Sequence, residues 1–212
     1  MVDLETTGTC SDRHGILQIS AVRFNLQTGE VDTNFFDQCL TLPPWRSWDE
    51  GTRRWWSQQK RSTLMDILAR ARDPREVINE FCTWAYPAGS MRMWAKPVHF
   101  DFTFVKSYCH DFDLIVPFHY RHVRDVNTFV EGLYYPYEPL DIAEIEFEGP
   151  HHNALFDTLH QIKFLLEAIK RRNQPKEISS NVIDVTPTGG PASADEAAGV
   201  QVGADGGAEA AG

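Results

Sequence analysis

Apolar and polar residues alternate at the start of the chain, where Val2-Asp3-Leu4-Glu5 predicts a strand. Side chains two apart on a strand share a face, so Val2 and Leu4 point to one layer while Asp3 and Glu5 point together to the other. The pattern breaks at Thr6-Thr7-Gly8, and residues 9–15 read as a polar loop. A second strand is expected over residues 16–24, a turn at Gln27-Thr28-Gly29-Glu30, and a third strand over 31–40. Three successive strands imply an antiparallel meander. Met1 stands only two residues before Asp3, so pairing on that side of the first strand is expected to be weak.

The Leu42-Pro43-Pro44-Trp45 segment stops the sheet, and Asp49 is placed to cap a helix through residues 52–58. Helical spacing follows over 62–72 and 74–86. The latter starts with Asp73-Pro74, carries Val77, Ile78, Phe81 and Trp84 on one side, and is stopped by Pro87-Ala88-Gly89. A short strand over 91–95 precedes a helix over 100–108 that buries Phe100, Phe104, Val105 and Tyr108, and Asp125 opens a further helix to Leu133. Residues 134–150, rich in proline, aromatics and acids, read as a long loop near the last site residues. The closing helix spans 153–172, with Leu155, Leu159, Ile162, Leu166 and Ile169 as one buried stripe. Asp157 lies about 200° from Leu155 at roughly 100° per residue, free to face a cleft. These elements describe an α/β domain over residues 1–175, a mixed sheet flanked by helices. The tail, 176–212, lacks periodicity and is expected to be disordered.

Composition narrows this picture. In 212 residues, 42% hydrophobic and 12% aromatic content is ample for a packed core. No run approaches the roughly 18 apolar residues of a membrane span. A soluble, cytoplasmic protein with no membrane association is expected. Cys10, Cys39, Cys82 and Cys109 form no C-x-x-C pair, so reduced thiols are expected in place of a zinc cage or disulfide framework. The formal charge of −10 is unlike a typical nucleic-acid binder. However, one lysine and six acidic residues lie from Lys176 onward, which leaves 19 basic and 24 acidic residues in the domain. Bound metal would locally reverse the remaining excess.

Candidate chemistry begins with Asp3 and Glu5. Two adjacent carboxylates repel, and a hard cation such as Mg²⁺ or Mn²⁺ would relieve that repulsion, although acids at strand ends are often simply solvated. Partners stand further on: Asp101 in His99-Phe100-Asp101-Phe102, and Asp157 in His151-His152-Asn153-Ala154-Leu155-Phe156-Asp157. Four carboxylates and His152, five residues before Asp157, stand in an order that resembles the DEDD family of 3′-to-5′ exonucleases, in the DEDDh subgroup whose third motif is His, four residues, Asp. Asp3-Leu4-Glu5-Thr6-Thr7-Gly8 matches that family's first motif almost letter for letter. The Trp-Trp helix at Arg53-Arg54-Trp55-Trp56-Ser57-Gln58-Gln59 is similar to the branch containing bacterial ribonuclease AS and a phage exonuclease.

The resemblance covers residues 1–172. It implies a ribonuclease H-like fold, two Mg²⁺ (or Mn²⁺) ions, and hydrolysis of the terminal phosphodiester of single-stranded nucleic acid at its 3′ end, releasing nucleoside 5′-monophosphates. By the same resemblance Asp3, Glu5 and Asp157 hold one metal, Asp101 holds the second with Asp3 shared, and His152 is the general base, whose ordinary pKa of about 6.5 suits that task. Leu4 and the backbone of Thr6, Thr7 and Gly8 would contact the terminal nucleotide. Trp55 or Trp56 would stack on a base, with core packing as the alternative use of either. Lys96 stands where relatives carry a Gly- or Asn-containing loop and is a candidate phosphate anchor. His151, adjacent to His152, competes for the role of base, but its spacing to Asp157 is one residue too long for that motif. His99 reads as structural or substrate-facing, Asp125 as a cap, Asp141 as a solvated loop acid, and Arg171-Arg172 as cations suited to a helix C-terminus. The branch leans to RNA over DNA, and relatives permit a homodimer. The rival reading is an inactive nucleic-acid-binding or regulatory module on the same fold.

Overall fold

β1 (Val2–Thr6) pairs antiparallel with β2 (Ile16–Ala21), in a register that sets Asp3 opposite Ser20 and Glu5 opposite Gln18. The ladder continues through Met1, whose nitrogen donates to Val22 O at 2.8 Å and whose carbonyl accepts from Val22 N at 3.0 Å. The weak pairing expected there is therefore corrected. Met1 and Val2 are both buried, so apolar side chains shield these bonds from water. β3 (Phe36–Leu40) continues the meander but is shorter than expected. Val31 joins only through an isolated bridge to Phe24, because an Asx turn, Asn34 N to Asp32 Oδ1, interrupts the strand.

The computed structural model of the chain describes residues 1–86 and 91–174. The tail expected to be disordered and the Pro87-Ala88-Gly89 stop lie outside the described residues. α1 (Glu50–Gln58) and α2 (Arg61–Ala69) follow the sheet. The helix expected to reach residue 72 stops at Ala69. Ala71–Arg72 instead forms β4, parallel to β3, where Arg72 O accepts from Thr41 N. α3 (Pro74–Ala85) comes next. β5 (Met93–Ala95) and β6 (Val123–Asp125) form a parallel pair, with β5 beside β1. Between them α4 (Val98–Asp111) starts two residues earlier than expected, its first N–H held by Asp125 Oδ2 at 2.9 Å. α5 (Val126–Tyr134) and α6 (Ala154–Asn173) complete the domain.

Asp49, Asp73 and Asp125 each accept a backbone N–H three residues on and cap their helices as expected. Asp141 is exposed, as expected, and in addition forms a capping box with Glu144 over the turn at residues 142–144. One face of β1 and β2 packs Val2, Leu4 and Ile19 against Phe81 of α3 and Phe104, Val105 and Tyr108 of α4. All four cysteines are free; Cys82 and Cys109 sulfurs meet at 3.6 Å between α3 and α4. Among the described residues, no helix is long and apolar enough to cross a membrane.

The other sheet face is covered by α6, whose buried set is Ala154, Thr158, Gln161, Ile162, Phe164, Leu165 and Ala168. This corrects the expected stripe. Leu159 is exposed and Leu155, Leu166 and Ile169 are half-buried. Helical periodicity assigns polar residues to solvent, whereas here Thr158 and Gln161 face a polar sheet surface. Gln18, fully buried on β2, fixes the start of α6: its Oε1 accepts from Ala154 N at 3.1 Å and its Nε2 donates to Asp37 at 2.7 Å. Gln18→Leu would leave the buried Ala154 N–H unpaired and Asp37 with Arg70 alone, and urea denaturation is expected to show a loss of about 1–3 kcal/mol. An unchanged midpoint would mean that α6 is anchored elsewhere.

Candidate active site

Asp3 and Glu5 share the β1 face that looks toward α6, and Asp157 sits in the first turn of that helix. One oxygen from each of the three lies within 4.8 Å of the others. Asp157 is oriented by Asn153 N, which donates to its Oδ2 at 3.1 Å. Asp101 comes from the first turn of α4 and is 3% exposed. Its carboxylate accepts the Leu4 N–H of β1, the Asp3 charge acts on it, and its own charge acts on Glu5. Asp101 thus flanks the three-oxygen cluster without being part of it.

Burial raises every carboxyl in the cleft, and for Asp3, Glu5 and Asp101 neighbouring carboxylates add to it. Burial, with the Asp157 charge adding, pushes Asp3 up to about 8, against a hydrogen bond from Gln161 and the charge of Lys96. Glu5 is raised well above its ordinary value by burial, then by Asp3, Asp157 and Asp101. Burial and then Asp3 do the same to Asp101. Asp157 reaches about 6 through burial, moderated by backbone N–H groups and by His151. A set of hard oxygen donors whose charges repel fits Mg²⁺ or Mn²⁺.

Carboxyls raised on folding favour the folded state while protonated, and that stability is lost as pH rises from the unfolded value near 4 through the folded values near 6 and 8. Metal-free protein is therefore expected to melt at a lower temperature at pH 8 than at pH 5, with Mn²⁺ removing most of the difference. Melting curves in EDTA and in Mn²⁺ check this; a metal-free midpoint that held steady across that range would contradict it.

Two neighbouring histidines are aimed apart. His152 adopts φ 60° and sets its ring edge-on to Trp55, centroids 4.7 Å apart. Burial, and then the charge of His151, lower its pKa. It is therefore neutral at pH 7, the form that accepts a proton. His151 is exposed and stacks on Phe147 at 4.1 Å. The tryptophans divide likewise. Trp56 is buried, packs with Leu17, Cys39 and Ile67, and donates from Nε1 to Thr6 O at 3.2 Å. Trp55, 38% exposed, lines a cleft of about 410 Å³ with Leu4, Glu5, Thr6, Gly8 and Phe100.

Thr7 departs from the expected substrate contact. Its hydroxyl donates to Ser47 O and accepts from Gly15 N, its N–H donates to Gly15 O, and its carbonyl accepts from Asp49 N. Every polar group is spent on bracing the loop after β1. Gly8 has a steric reason: a Cβ there would lie 2.2 Å from His14 Nδ1. Lys96 is half-buried, and its charge acts on Asp3 and His160. His99 is exposed, and Asp125 is committed to capping. Sequence reasoning missed Gln18 and Gln161; Gln161 sits four residues after Asp157, on the same helix face, which is the one signal that points to it.

A larger groove, about 820 Å³, runs between the 26–31 hairpin and the outer face of α6. Its walls are Leu26, Val31, Leu159 and Leu166 with ion-paired Lys170 and Arg171, and none of the site carboxylates lines it.

Residues 1–169 match the family profile described as the 3′-5′ exoribonuclease Rv2179c-like domain. No curated protein sequence matches the chain significantly. Among solved structures, E. coli exonuclease I in complex with a dT13 oligonucleotide is similar at 13% identity and TM-score 0.63, over 81% of this chain and 40% of that one. The nuclease domain of 3′hExo, a DEDDh family member bound to rAMP, is similar at 16% identity and TM-score 0.58, covering 80% and 90%. The S. pombe Pop2p structure in its Mg²⁺- and Mn²⁺-bound form shows 14% identity and TM-score 0.60, covering 80% and 82%. The chain thus spans about 40% of the exonuclease I chain and most of the other two. These likenesses establish the ribonuclease H-like exonuclease fold.

Proposed function

Because the chain belongs to the family of 3′-5′ exoribonuclease Rv2179c-like domains, we propose that it removes nucleoside 5′-monophosphates from the 3′ end of single-stranded RNA, using divalent metal and His152 as base. The observation that carries this reading is the convergence of Asp3, Glu5 and Asp157 oxygens within 4.8 Å of one another, with Asp101 and His152 at the same cleft. Asp3, Glu5 and Asp157 would hold one ion, and Asp3 with Asp101 a second. Two Mg²⁺ or Mn²⁺ ions bound there would supply a nucleophile at neutral pH and neutralise the charge that builds up on the phosphate.

The protein's own groups do the rest. Neutral His152 takes up the proton released during attack, and its contact with the Trp55 ring fixes where the imidazole stands. Leu4, Thr6, Gly8, Trp55 and Phe100 enclose the terminal nucleotide, with Trp55 offering a stacking face worth roughly 1–3 kcal/mol. A cleft sized for one nucleotide favours a chain end over an internal linkage. The family description supports RNA; the bound oligonucleotide of exonuclease I, dT13, is DNA and belongs to that protein.

Matched RNA and DNA oligonucleotides digested in Mg²⁺, with products separated by chromatography, test the reading. Nucleoside 5′-monophosphates, released faster from RNA, are the expected result. Faster DNA digestion would overturn the substrate preference, and 3′-monophosphate products would overturn the chemistry.

A further inference from the structure

Gln161 is a polar residue on the buried face of α6 and is 7% exposed. Its Nε2 donates to Asp3 Oδ1 at 2.8 Å. Its Oε1 is buried and has no hydrogen-bond partner. A buried acceptor left unpaired is costly, and the usual remedy would be an apolar residue at such a position. The orientation of the amide is set by chemistry: a carboxylate that binds a cation only accepts, so the NH₂ must face Asp3 and the oxygen must face elsewhere. The unpaired oxygen therefore cannot be satisfied by turning the amide around while Asp3 is ionised.

We infer that Gln161 positions the metal site, its NH₂ fixing Oδ1 of Asp3 so that the other carboxylate oxygen is presented to a divalent cation, and its Oε1 accepting a hydrogen bond from a water of that cation's hydration shell. The inference rests on the metal-dependent reading above and extends it to a residue outside the four carboxylates and His152. Asp3 stands on β1 and Gln161 on α6, one turn beyond Asp157. A single hydrogen bond thus locks together the two elements that carry three of the four carboxylates. With Asp3 ionised, as cation binding requires, that oxygen faces away from the carboxylate, and the hydration shell of the cation supplies its donor. Residues that orient metal ligands typically cost 10- to 100-fold in affinity when replaced.

The test compares wild type with Gln161→Met and Gln161→Leu, which put an apolar side chain of similar size in place of the amide and so remove both the donor and the unpaired acceptor. Calorimetric titration with Mn²⁺ alone is the first readout and the metal-free melting temperature is the second. The expected result is an affinity for Mn²⁺ about 10-fold or more weaker, with a metal-free melting temperature equal to or above that of wild type. Unchanged Mn²⁺ affinity in a folded variant would overturn the inference. So would loss of cooperative melting in both variants, since that would make the amide a structural element. Wild-type protein that binds Mn²⁺ without cutting RNA would refute the proposed function alone, whereas equal Mn²⁺ binding by wild type and variants would refute the role of Gln161 alone.

Discussion

Asp3→Asn is expected to abolish measurable Mn²⁺ binding, to slow exonuclease turnover by at least about 10²–10³-fold, and at the same time to raise the melting temperature of the metal-free protein at pH 8. The combination follows from its place in the cleft. Asp3 faces Asp157, is linked to Gln161 and acts on Asp101 and Glu5, so it is the carboxylate common to the whole cluster. Burial and the Asp157 charge push it up to about 8, which means that its ionised form is held at a cost. Asparagine keeps the shape and removes that charge. The metal loses a ligand and the fold loses a repulsion. Oligonucleotide digestion, Mn²⁺ calorimetry and melting in EDTA separate the three effects. Asp3→Asn with full activity would remove Asp3 from the metal site, and Asp3→Asn with lower metal-free stability would show the charge to be structurally favourable.

His152→Asn is expected to lower turnover by about 10²–10⁴-fold while leaving Mn²⁺ affinity within a few-fold of wild type. Asparagine is chosen for the backbone. His152 sits at φ 60°, a conformation that costs most residues energy and that asparagine tolerates well, so the variant removes the imidazole without disturbing the start of α6. The activity profile of wild type should rise through a pKa below 6.5, because burial and then the neighbouring His151 charge both lower His152. His151→Asn serves as the comparison and should change turnover far less, since its ring is spent on Phe147. A larger loss in His151→Asn than in His152→Asn would exchange their roles.

Much of this site is legible in the sequence because its chemistry is encoded in short local patterns. Alternation on β1 sends Asp3 and Glu5 to one face, and the spacing from His152 to Asp157 lies across the start of one helix. Asp49, Asp73 and Asp125 announce their helices by the physics of capping. Contacts between distant elements are less legible. Nothing in the local pattern ties Gln18 to Ala154 or Gln161 to Asp3, because both glutamines look like surface residues until β2 and α6 are brought together. The same cause misplaced the buried face of α6: a polar active-site wall inverts the rule that polar residues mark solvent. For adjacent identical residues the sequence separates His152 from His151 only by spacing to Asp157, and Trp55 from Trp56 not at all. Trp55 and Trp56 differ only in which side of α1 they occupy, as His151 and His152 differ in which aromatic ring they meet. The two-residue β4 carries no periodicity and becomes a strand only because β3 lies beside it.

The most direct measurement uses one 5′-labelled single-stranded RNA in two forms, with a free 3′ hydroxyl and with a blocked 3′ end, each incubated with the protein in Mg²⁺ and in EDTA. The free-ended RNA should shorten one nucleotide at a time in Mg²⁺ only, while the blocked RNA persists. Equal loss of both forms, or shortening that continues in EDTA, would contradict a metal-dependent enzyme acting from the 3′ end.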